Sequence, residues 1–363
     1  MSRPGLVLTL NAGSSSLKYA LFGDKRIAQG KSEGVSANYD AMLDDVLKWT
    51  EEHLGGNMLT AAGHRIVHGG ELADPILLDD AALTRLDALA PLAPLHQPHN
   101  LAAVRALAKL RPSLPQVGCF DTAFHRTMDA TARRFGLPRA LEDSGIRRYG
   151  FHGLSYEYIS GRLREVAPAQ AGGRIIIAHL GSGASLCALR DGRSIDTTMS
   201  FTPLDGLVMG TRCGALDPGV LLYLMQARGM DAAGLQDLLY DKSGLLGVSD
   251  ISGDMRLLLA SGDARAREAI ELFVYRAARE IGALGASLGG LDGIVFTGGI
   301  GENSAVIRAA IAARMGWLGL TLDAAANGAG AIRISAADSP VWAWAIPTDE
   351  EAVIARQTRT LAG

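Results

Sequence analysis

Near its start the chain carries two apolar runs separated by one short polar stretch. Residues 6–10 are apolar, residues 11–16 are small and polar, and residues 17–22 resume an extended apolar pattern. Short apolar runs bounded by Gly, Ser and Asn are typical of strands joined by a turn. The pattern predicts a strand, a tight polar loop and a second strand.

The same order of apolar and polar positions recurs far downstream. Residues 175–178 are apolar, residues 179–185 are small and polar, and residues 186–189 are apolar again, ahead of a turn at residues 191–192. The two copies share their arrangement without sustained identity. Because a domain-sized stretch separates them, we expect an α/β fold built from two similar domains.

Helical spacing of apolar residues marks much of the remaining chain. Residues 81–90 and 101–110 carry this spacing, and the proline-rich residues 91–98 between them predict a loop. An Asp before a helix caps free amides, and a Gly ends it. These signals predict one helix from Asp217 to Gly229 and a longer one from Asp263 to residues 289–290.

The last third of the chain combines strands with a glycine-rich turn. Residues 293–297 predict a strand, residues 298–303 a glycine turn, and Ser304 the start of a helix. Residues 341–346 predict another strand. The Thr-x-x-Glu spacing from Thr348 to Glu351 predicts a capping box, in which Glu351 folds back on the helix start and leaves Glu350 free.

Composition limits the classes of function. The 363 residues are 48% hydrophobic and 20% charged, with mean hydropathy of +0.15 and no apolar run near the roughly 20 residues that a bilayer span needs. No secretory signal is recognisable, so we expect a soluble, cytoplasmic protein. A net charge of −3 argues against binding to nucleic acid or to an anionic membrane. The three cysteines are scattered, which favours neither disulfides nor a zinc site.

Both polar loops and the later glycine turn suit phosphate binding, because small residues let backbone amides approach an anion closely. A single Gly/Ser turn is more often an ordinary hairpin turn, but three of them favour a nucleotide. The chain has no Gly-x-x-x-x-Gly-Lys-Ser/Thr loop, and residues 299–304 lack the last glycine of the dinucleotide fingerprint. The sequence therefore argues against the P-loop and Rossmann classes of nucleotide-binding protein.

Two phosphate loops in two similar domains resemble the actin, Hsp70 and sugar kinase superfamily, and within it the chain resembles the acetate kinase family. The resemblance runs from residue 6 to about residue 357. It rests on eight motifs in the family's order: NAGSSSLK at 11–18, GHRIVHGG at 63–70, FDTAFH at 120–125, RYGFHG at 148–153, FTPLDGL at 201–207, MGTRCG at 209–214, GIGEN at 299–303 and IPTDEE at 346–351.

This resemblance implies a reversible phosphoryl transfer between ATP and the carboxylate of a short-chain acid, in an interdomain cleft. It implies ATP/ADP and Mg²⁺ as cofactors, with Mn²⁺ as a possible substitute, and a homodimer. The first domain would comprise residues 1–124 completed by the helix at 352–363, and the second, nucleotide-binding domain residues 125–351. A carboxylate is already ionised at neutral pH, so such an enzyme needs charge neutralisation and alignment more than a base.

The resemblance also assigns roles to individual residues. Arg65 and Arg212 would bind the acid and the transferring phosphoryl group, because a guanidinium can hold two oxygens, although a lone Arg is more often a surface ion pair. His152 would donate to the phosphoryl group and Asp121 would orient the acid. Glu350, with Asn11 nearby, would hold magnesium. His64 and His68 have the spacing of a zinc pair, but the glutamate of the zinc-protease motif is missing.

The remaining assignments concern ATP and the acid. Lys18 would contribute a point charge to ATP, although an exposed strand lysine is as good an interpretation. The residues assigned to ATP are Asn11, Ser14, Ser16, Lys18, His179, Gly181, Ser182, Gly183, Asp254, Arg256, Gly299, Ile300, Gly301 and Asn303. Those assigned to the acyl pocket are Val67, Leu95, His96, Phe151 and Pro203.

Two departures from the family pattern affect these expectations. Ser182 stands where the family usually has Asn, and residues 96–100 read His-Gln-Pro-His-Asn in place of His-Asn-Pro-Pro-Asn. The first borders the ATP phosphates and the second the acyl pocket. A propionate or butyrate kinase therefore remains an alternative. A non-catalytic ATP-driven switch is a more distant one, since it has no evident need for Arg65, Arg212 and His152.

Overall fold

The computed structural model describes residues 5–12, 16–33 and 39–362. The chain divides into two compact units. Unit 1 comprises residues 1–126, 151–158 and 349–363, and unit 2 comprises residues 127–150 and 159–348.

Unit 1 contains one mixed sheet with helices on both faces. The elements of unit 1 are β1 Leu6–Ala12, β2 Ser16–Phe22, β3 Arg26–Glu33, α1 Tyr39–His53, β4 Leu59–Ile66, β5 Ile76–Leu77, α2 Asp80–Asp87, α3 Gln97–Leu110, β6 Gln116–Phe120 and α15 Glu350–Ala362, with 3₁₀ turns at Ala90–Leu92 and Ala123–Thr127. The strand order in the sheet is β3-β2-β1-β4-β6-β5. Strand β1 pairs antiparallel with β2 and parallel with β4, and β4 is parallel to β6.

Alternation along the strands of unit 1 builds two cores. The adjacent residues Cys119 and Phe120 of β6 point to opposite faces of the sheet, as strand geometry requires. Cys119 packs with Val353 and Ile354 of α15, whereas Phe120 packs with Val104 of α3. Helix α15 therefore supplies much of one face of the core of unit 1, together with Leu154 of the helix Gly153–Val166.

Unit 2 repeats the strand connectivity of unit 1. Its elements are α4 Ala130–Arg133, α5 Arg139–Asp143, β7 Ile175–Leu180, β8 Ala184–Arg190, β9 Arg193–Thr197, α7 Pro218–Arg228, α8 Ala232–Asp241, α9 Gly244–Ser249, α10 Met255–Ala260, α11 Ala264–Leu288, β10 Gly293–Thr297, α12 Gly298–Asn303, α13 Ala305–Ala313, a 3₁₀ turn Gly316–Leu318, α14 Ala324–Gly328 and β11 Trp342–Ala345. The strand order in its sheet is β11-β10-β7-β8-β9. Strand β7 is antiparallel to β8 and parallel to β10, and β10 is parallel to β11. Helix α6, Gly153–Val166, begins in unit 1 and ends in unit 2.

The repeated connectivity confirms the predicted α/β fold of two similar domains. The predicted caps are confirmed as well. Asp217 accepts the amide of Gly219 at the start of α7, and Asp263 accepts that of Arg265 at the start of α11. Gly229 ends α7 with φ of 68°, in the left-handed region that glycine adopts at helix ends.

Three predictions about local structure are wrong. The predicted loop 91–98 is shorter, because α3 already begins at Gln97. The predicted glycine turn at 298–303 is the short helix α12. The predicted capping box is absent, since Asp349 Oδ1 accepts the amide of Ala352 at 3.0 Å and takes the capping position that was assigned to Thr348. None of the helices in the described ranges is both long and apolar enough to cross a bilayer.

Candidate active site

The carboxyl ends of two parallel strands in unit 1 bring a buried ion pair together. Arg65 lies in β4 opposite Cys119 of β6, so that Asp121, directly after β6, lies at the same edge of the sheet. Arg65 Nε and Nη2 donate to Asp121 Oδ2 at 3.0 and 2.5 Å. The Asp121 side chain is 1% exposed and that of Arg65 is 15% exposed, so this pair is largely removed from water.

Asn11 connects this ion pair to the first turn of α15. It ends strand β1, next to β4, and its Oδ1 accepts from Arg65 Nη1 at 3.1 Å. Its Nδ2 donates to Glu350 Oε2 at 3.3 Å and to Glu351 Oε1 at 3.4 Å. Glu350 Oε2 also lies 4.0 Å from Arg65 Nε. We call these five residues the Arg65 cluster.

The Arg65 cluster balances burial against charge. Burial raises the pKa of Asp121, and the Arg65 guanidinium opposes that rise. Burial lowers the pKa of Arg65, but Asp121 and Glu350 outweigh it, so the pKa is raised overall and Arg65 stays charged. Asp121 Oδ1 makes no hydrogen bond of good geometry with the described residues, although the nearby backbone amide of Leu154 helps to lower the pKa of this carboxyl group.

The loop before α6 is fastened to the backbone of Asp121. Gly153 N donates to Asp121 O at 2.9 Å, and a Cβ at position 153 would collide with that oxygen. The ring of His125 bonds to the carbonyl of Phe151 through Nε2 at 2.8 Å. Half-buried His152 sits between these anchors with φ of 58°, a conformation that non-glycine residues rarely adopt. These contacts tie the backbone on either side of His152 to Asp121 and His125.

The buried side-chain amides of Asn100 and Gln97 hold the segment that contains Val67. Asn100 Oδ1 accepts from Val67 N at 2.9 Å, and Gln97 Oε1 accepts from His68 N at 3.1 Å. Gln97 Nε2 returns a hydrogen bond to His68 O at 3.0 Å. The His68 ring meets that of Phe151 edge-on with 5.7 Å between ring centroids, which places Phe151 of the predicted acyl pocket in contact with the residue next to Val67.

Other predicted residues of unit 1 are less closely joined to the Arg65 cluster. Leu95 and His96 are half-buried and lie just before α3. Ser16 is the half-buried first residue of β2, and exposed Lys18 pairs with Asn11 across the β1–β2 ladder. Ser14 lies outside the described residues.

In unit 2 a cavity of about 1000 Å³ collects seven of the fourteen residues predicted to bind ATP. We call it the glycine-lined pocket. Its predicted members are Gly181, Ser182, Asp254, Arg256, Gly299, Ile300 and Asn303, and the prediction missed Thr211, Gly253, Met255, Leu259, Ala260 and Ser304. His179, Gly183 and Gly301 are not among its lining residues.

Two charged side chains, both missed as site residues, hold α12 at the wall of this pocket. Glu302 Oε1 accepts from Gly298 N and Thr348 N, each at 2.9 Å. Buried Arg308 donates through Nη1 to the carbonyls of Gly301 and Glu302 at 2.9 and 2.7 Å. Gly298 has φ of 76°, and a Cβ there would lie 2.8 Å from Leu180 O, so only glycine allows this approach to β7.

Charged groups at the glycine-lined pocket are more open to solvent. Asp254 caps α10 and binds the guanidinium of Arg256, whose side chain is 89% exposed, through both carboxylate oxygens. This contact holds the pKa of Asp254 below its usual value. Elsewhere in unit 2, half-buried Arg212 donates through Nη1 to the carbonyl of Pro203 at 3.0 Å.

The Arg65 cluster offers the oxygen ligands that magnesium prefers. Mg²⁺ is usually bound by one or two carboxylates together with waters and substrate phosphates. Glu350 and Glu351 both lie within hydrogen-bond distance of Asn11 Nδ2, so their two carboxylates, together with waters and substrate phosphates, would fit such an ion. The prediction that Glu351 folds back and leaves Glu350 alone is wrong, because both glutamates belong to the cluster.

Comparison with known proteins agrees with this geometry. The sequence profile of the Acetokinase family matches residues 23–356. The chain belongs to the acetokinase family. It is 54% identical to an acetate kinase of Rhodopseudomonas palustris, with 98% of each chain covered.

Solved structures agree with membership of the acetokinase family. A propionate kinase from Francisella tularensis is 35% identical, with a TM-score of 0.93 over 98% of this chain and 100% of that one. An acetate kinase from Porphyromonas gingivalis is 37% identical, with a TM-score of 0.90 over 99% and 100%. The protein is therefore a kinase, and its fold is that of the family.

The two departures from the acetokinase pattern have distinct positions. Ser182 is exposed at the glycine-lined pocket, and its carbonyl accepts from Gly210 N at 2.9 Å. Gln97 is fully buried and bonds to the backbone of His68 and Leu86. Both residues lie in segments that the sequence analysis had already identified as departures from the family pattern. Their partners are distant in the chain, so only the fold reveals what they hold.

Proposed function

We propose that this protein catalyses the reversible phosphorylation of acetate by ATP. An oxygen of the acetate carboxylate forms a bond to the γ-phosphorus, the bond from that phosphorus to the β–γ bridging oxygen breaks, and acetyl phosphate and ADP leave. The observation that carries the proposal is the Arg65 cluster, in a chain 54% identical to an acetate kinase. The attacking carboxylate is ionised at neutral pH and needs no general base.

Arg65 is proposed to orient the acid and to neutralise its charge. A guanidinium has five N–H donors, and Arg65 uses three of them on Asp121 and Asn11. The remaining two can hold the carboxylate of the acid. Asp121 keeps the guanidinium in place, because two of its donors end on one carboxylate oxygen. Such preorganisation saves reorganisation when charge shifts in the transition state.

Charge on the transferring phosphoryl group is proposed to be met by Arg212 and His152. Asn11, Glu350 and Glu351 would hold magnesium, which supplies neutralisation of the phosphate oxygens when bound. Serine, glycine and asparagine groups of the glycine-lined pocket would hold ATP, with Ile300 and Met255 as its apolar wall. His179, Gly183 and Gly301 remain proposed for ATP on the family resemblance alone.

Propionate is the second candidate acid, because a propionate kinase is among the closely similar structures. One methylene in an apolar pocket changes binding by only about 1–3 kcal/mol, so the fold does not decide between them. Trapping acyl phosphate with hydroxylamine, for acetate, propionate and butyrate in turn, gives kcat/KM for each acid. We expect acetate to have the highest value. A higher value for propionate would reassign the substrate, and no acyl phosphate from any acid would overturn the function.

We also propose that the protein forms a homodimer through α7. The helix is strongly apolar, yet none of its residues is buried, and Leu222, Tyr223 and Met225 are 56%, 54% and 47% exposed. Apolar patches of this kind usually mark interfaces. Leu222→Glu should convert a dimer into a monomer in analytical ultracentrifugation, whereas Val306→Glu, on another exposed surface, should not. A monomeric wild-type protein would refute the proposal. A cytoplasmic location remains a prediction.

A further inference from the structure

A second cavity of unit 2 is lined by residues that have no assigned part in the reaction. It has a volume of about 680 Å³. We call it the arginine pocket, and its lining residues are Thr127, Arg164, Arg190, Asp191, Arg193 and Ile195. It shares no residue with the glycine-lined pocket. It lies at the far end of β8 from residues 181–183, about 20 Å along a strand of this length.

A tight hairpin puts two of the arginines face to face. Asp191 and Gly192 form the two-residue turn between β8 and β9, with φ of 54° and 73°, the combination of a type I′ turn. Arg190 and Arg193 are therefore directly paired across the ladder. Like charges at opposed positions destabilise a hairpin. Both side chains are exposed, so water and salt screen this repulsion, yet the sequence keeps two like charges paired at the edge of a cavity.

The third arginine reaches the same turn from α6. Arg164 Nη2 donates to the carbonyl of Asp191 at 3.2 Å. A Cβ at Gly192 would collide with this guanidinium, so the glycine that forms the turn also makes room for Arg164. The guanidinium of Arg190 is held in turn by the carbonyl of Leu288. Two of the three cations are thereby fixed by uncharged acceptors.

No ion pair with a carboxylate neutralises this group of charges among the described residues, although Asp292, outside the lining, interacts electrostatically with Arg190. Within residues 5–12, 16–33 and 39–362, none of the three arginines has a carboxylate within ion-pair distance. Asp191 is the single acidic residue of the lining. Three guanidinium groups therefore face one carboxylate, in a protein whose net charge is −3. Guanidinium groups bind phosphate and carboxylate oxygens in paired hydrogen bonds, which uncharged ligands cannot match.

We propose that the arginine pocket binds a small multivalent oxyanion, bearing phosphoryl or carboxyl groups, at a site separate from that of ATP. The bound anion offsets the repulsion between Arg190 and Arg193 and uses the donors of Arg164 that Asp191 leaves unused. The proposal does not depend on which acid the enzyme phosphorylates.

Binding is tested by calorimetric titration of the full chain, first saturated with ADP so that the glycine-lined pocket is filled. Tripolyphosphate and propane-1,2,3-tricarboxylate serve as separate probes of phosphoryl and carboxyl chemistry. We expect one equivalent of at least one probe to bind, with an affinity that falls as salt rises. The double variant Arg164→Gln/Arg193→Gln should weaken it about tenfold or more.

Two further variants make the test specific. Arg162→Gln removes an exposed arginine two positions before Arg164 that pairs with Glu165 instead, and it should leave the affinity unchanged. Asp191→Asn should strengthen binding, because Asn tolerates the turn conformation and removes the opposing charge. Binding of neither probe, its complete loss on ADP saturation, or equal affinity of wild type and double variant would each overturn the proposal. Unchanged melting temperatures show that the variants fold.

Discussion

The Arg65 cluster of unit 1 and the glycine-lined pocket of unit 2 are built from different interactions. In the cluster, five polar side chains bond to one another, and Asp121 is almost completely buried. In the pocket, most lining groups are glycines, small residues and apolar side chains, and the charged pair Asp254 and Arg256 is open to solvent. Buried polar side chains therefore position one another in unit 1, whereas small, apolar and solvent-exposed groups line the pocket in unit 2.

This difference determines what a substitution should change. Removing one partner of a buried ion pair strongly destabilises the folded protein, because the other charge is left unpaired where water solvates it poorly. Solvent-exposed pairs contribute little, typically below about 1 kcal/mol. A site built from buried charges thus couples activity to stability. A site lined by small, apolar and solvent-exposed groups separates the two.

The largest expected effect comes from comparing the arginines of the two units. Arg65→Ala should reduce kcat by orders of magnitude and also cost roughly 3–5 kcal/mol of unfolding free energy, since it strands Asp121. Arg212→Ala should reduce kcat comparably with a smaller loss of stability, because the carbonyl of Pro203 that accepts from it is uncharged and costs less to leave unpaired than the buried carboxylate of Asp121. Steady-state kinetics and urea denaturation of both variants measure the two quantities.

A near-normal kcat in either purified variant would remove that arginine from the mechanism. If both variants lost equal stability, the contrast between the units would be wrong. Asp121→Ala in the Arg65→Ala background offers a control, because removing both partners should recover part of the stability that the single change loses.

A smaller effect is expected for the two glutamates of the Arg65 cluster. Glu350→Ala and Glu351→Ala should each raise the magnesium concentration for half-maximal rate, by about tenfold, with rescue by excess metal. Asp349→Ala is the matched control. Asp349 caps α15, so its loss should cost about 1 kcal/mol of stability and leave the magnesium requirement unchanged. A changed requirement in the Asp349 variant alone would contradict this division.

The smallest effect concerns pH and the buried histidines of unit 1. Burial lowers the pKa of His64, His68 and His125 to about 4. The unfolded imidazoles protonate near pH 6.5, so between these values the unfolded chain binds more protons and stability falls as pH falls. From pH 7 to pH 6 each histidine should cost about 0.7 kcal/mol.

Urea denaturation at both pH values, with hydrogen exchange to resolve unit 1 from unit 2, measures this loss. His125→Asn should reduce the loss of unfolding free energy between pH 7 and pH 6 by about 0.7 kcal/mol, the contribution of one histidine. Equal loss of protection in both units would show that the buried histidines are not its source.

Local chemistry could be predicted from the sequence, and long-range partners could not. The ends of α7 and α11 follow from an Asp and a Gly that act within one turn of their own position. The repeated strand pattern indicated the two sheets because hydrophobic periodicity is also local. Family resemblance supplied Arg65, Asp121, Asn11 and Glu350 one by one. Their arrangement as one hydrogen-bonded cluster needed the fold.

The errors have the same physical origin. Thr348 fits a capping box by spacing, but its amide is bound by Glu302 and Asp349 takes the cap, while Asn11 engages Glu351. Gln97 begins α3 instead of ending a loop, and its side chain bonds to His68. In each case a partner far away in the chain outweighed a local rule.

The position of α15 also constrains how the chain can fold during synthesis. Val353 and Ile354 complete the core formed by Val117 and Cys119, although more than two hundred residues separate them in the sequence. During synthesis, strands β1 to β6 emerge early but cannot complete their core until α15 has been made. All of the β-strands of unit 2 are made before α15. Unit 1 is therefore the part most exposed to chaperones, and the last to become protected from proteases.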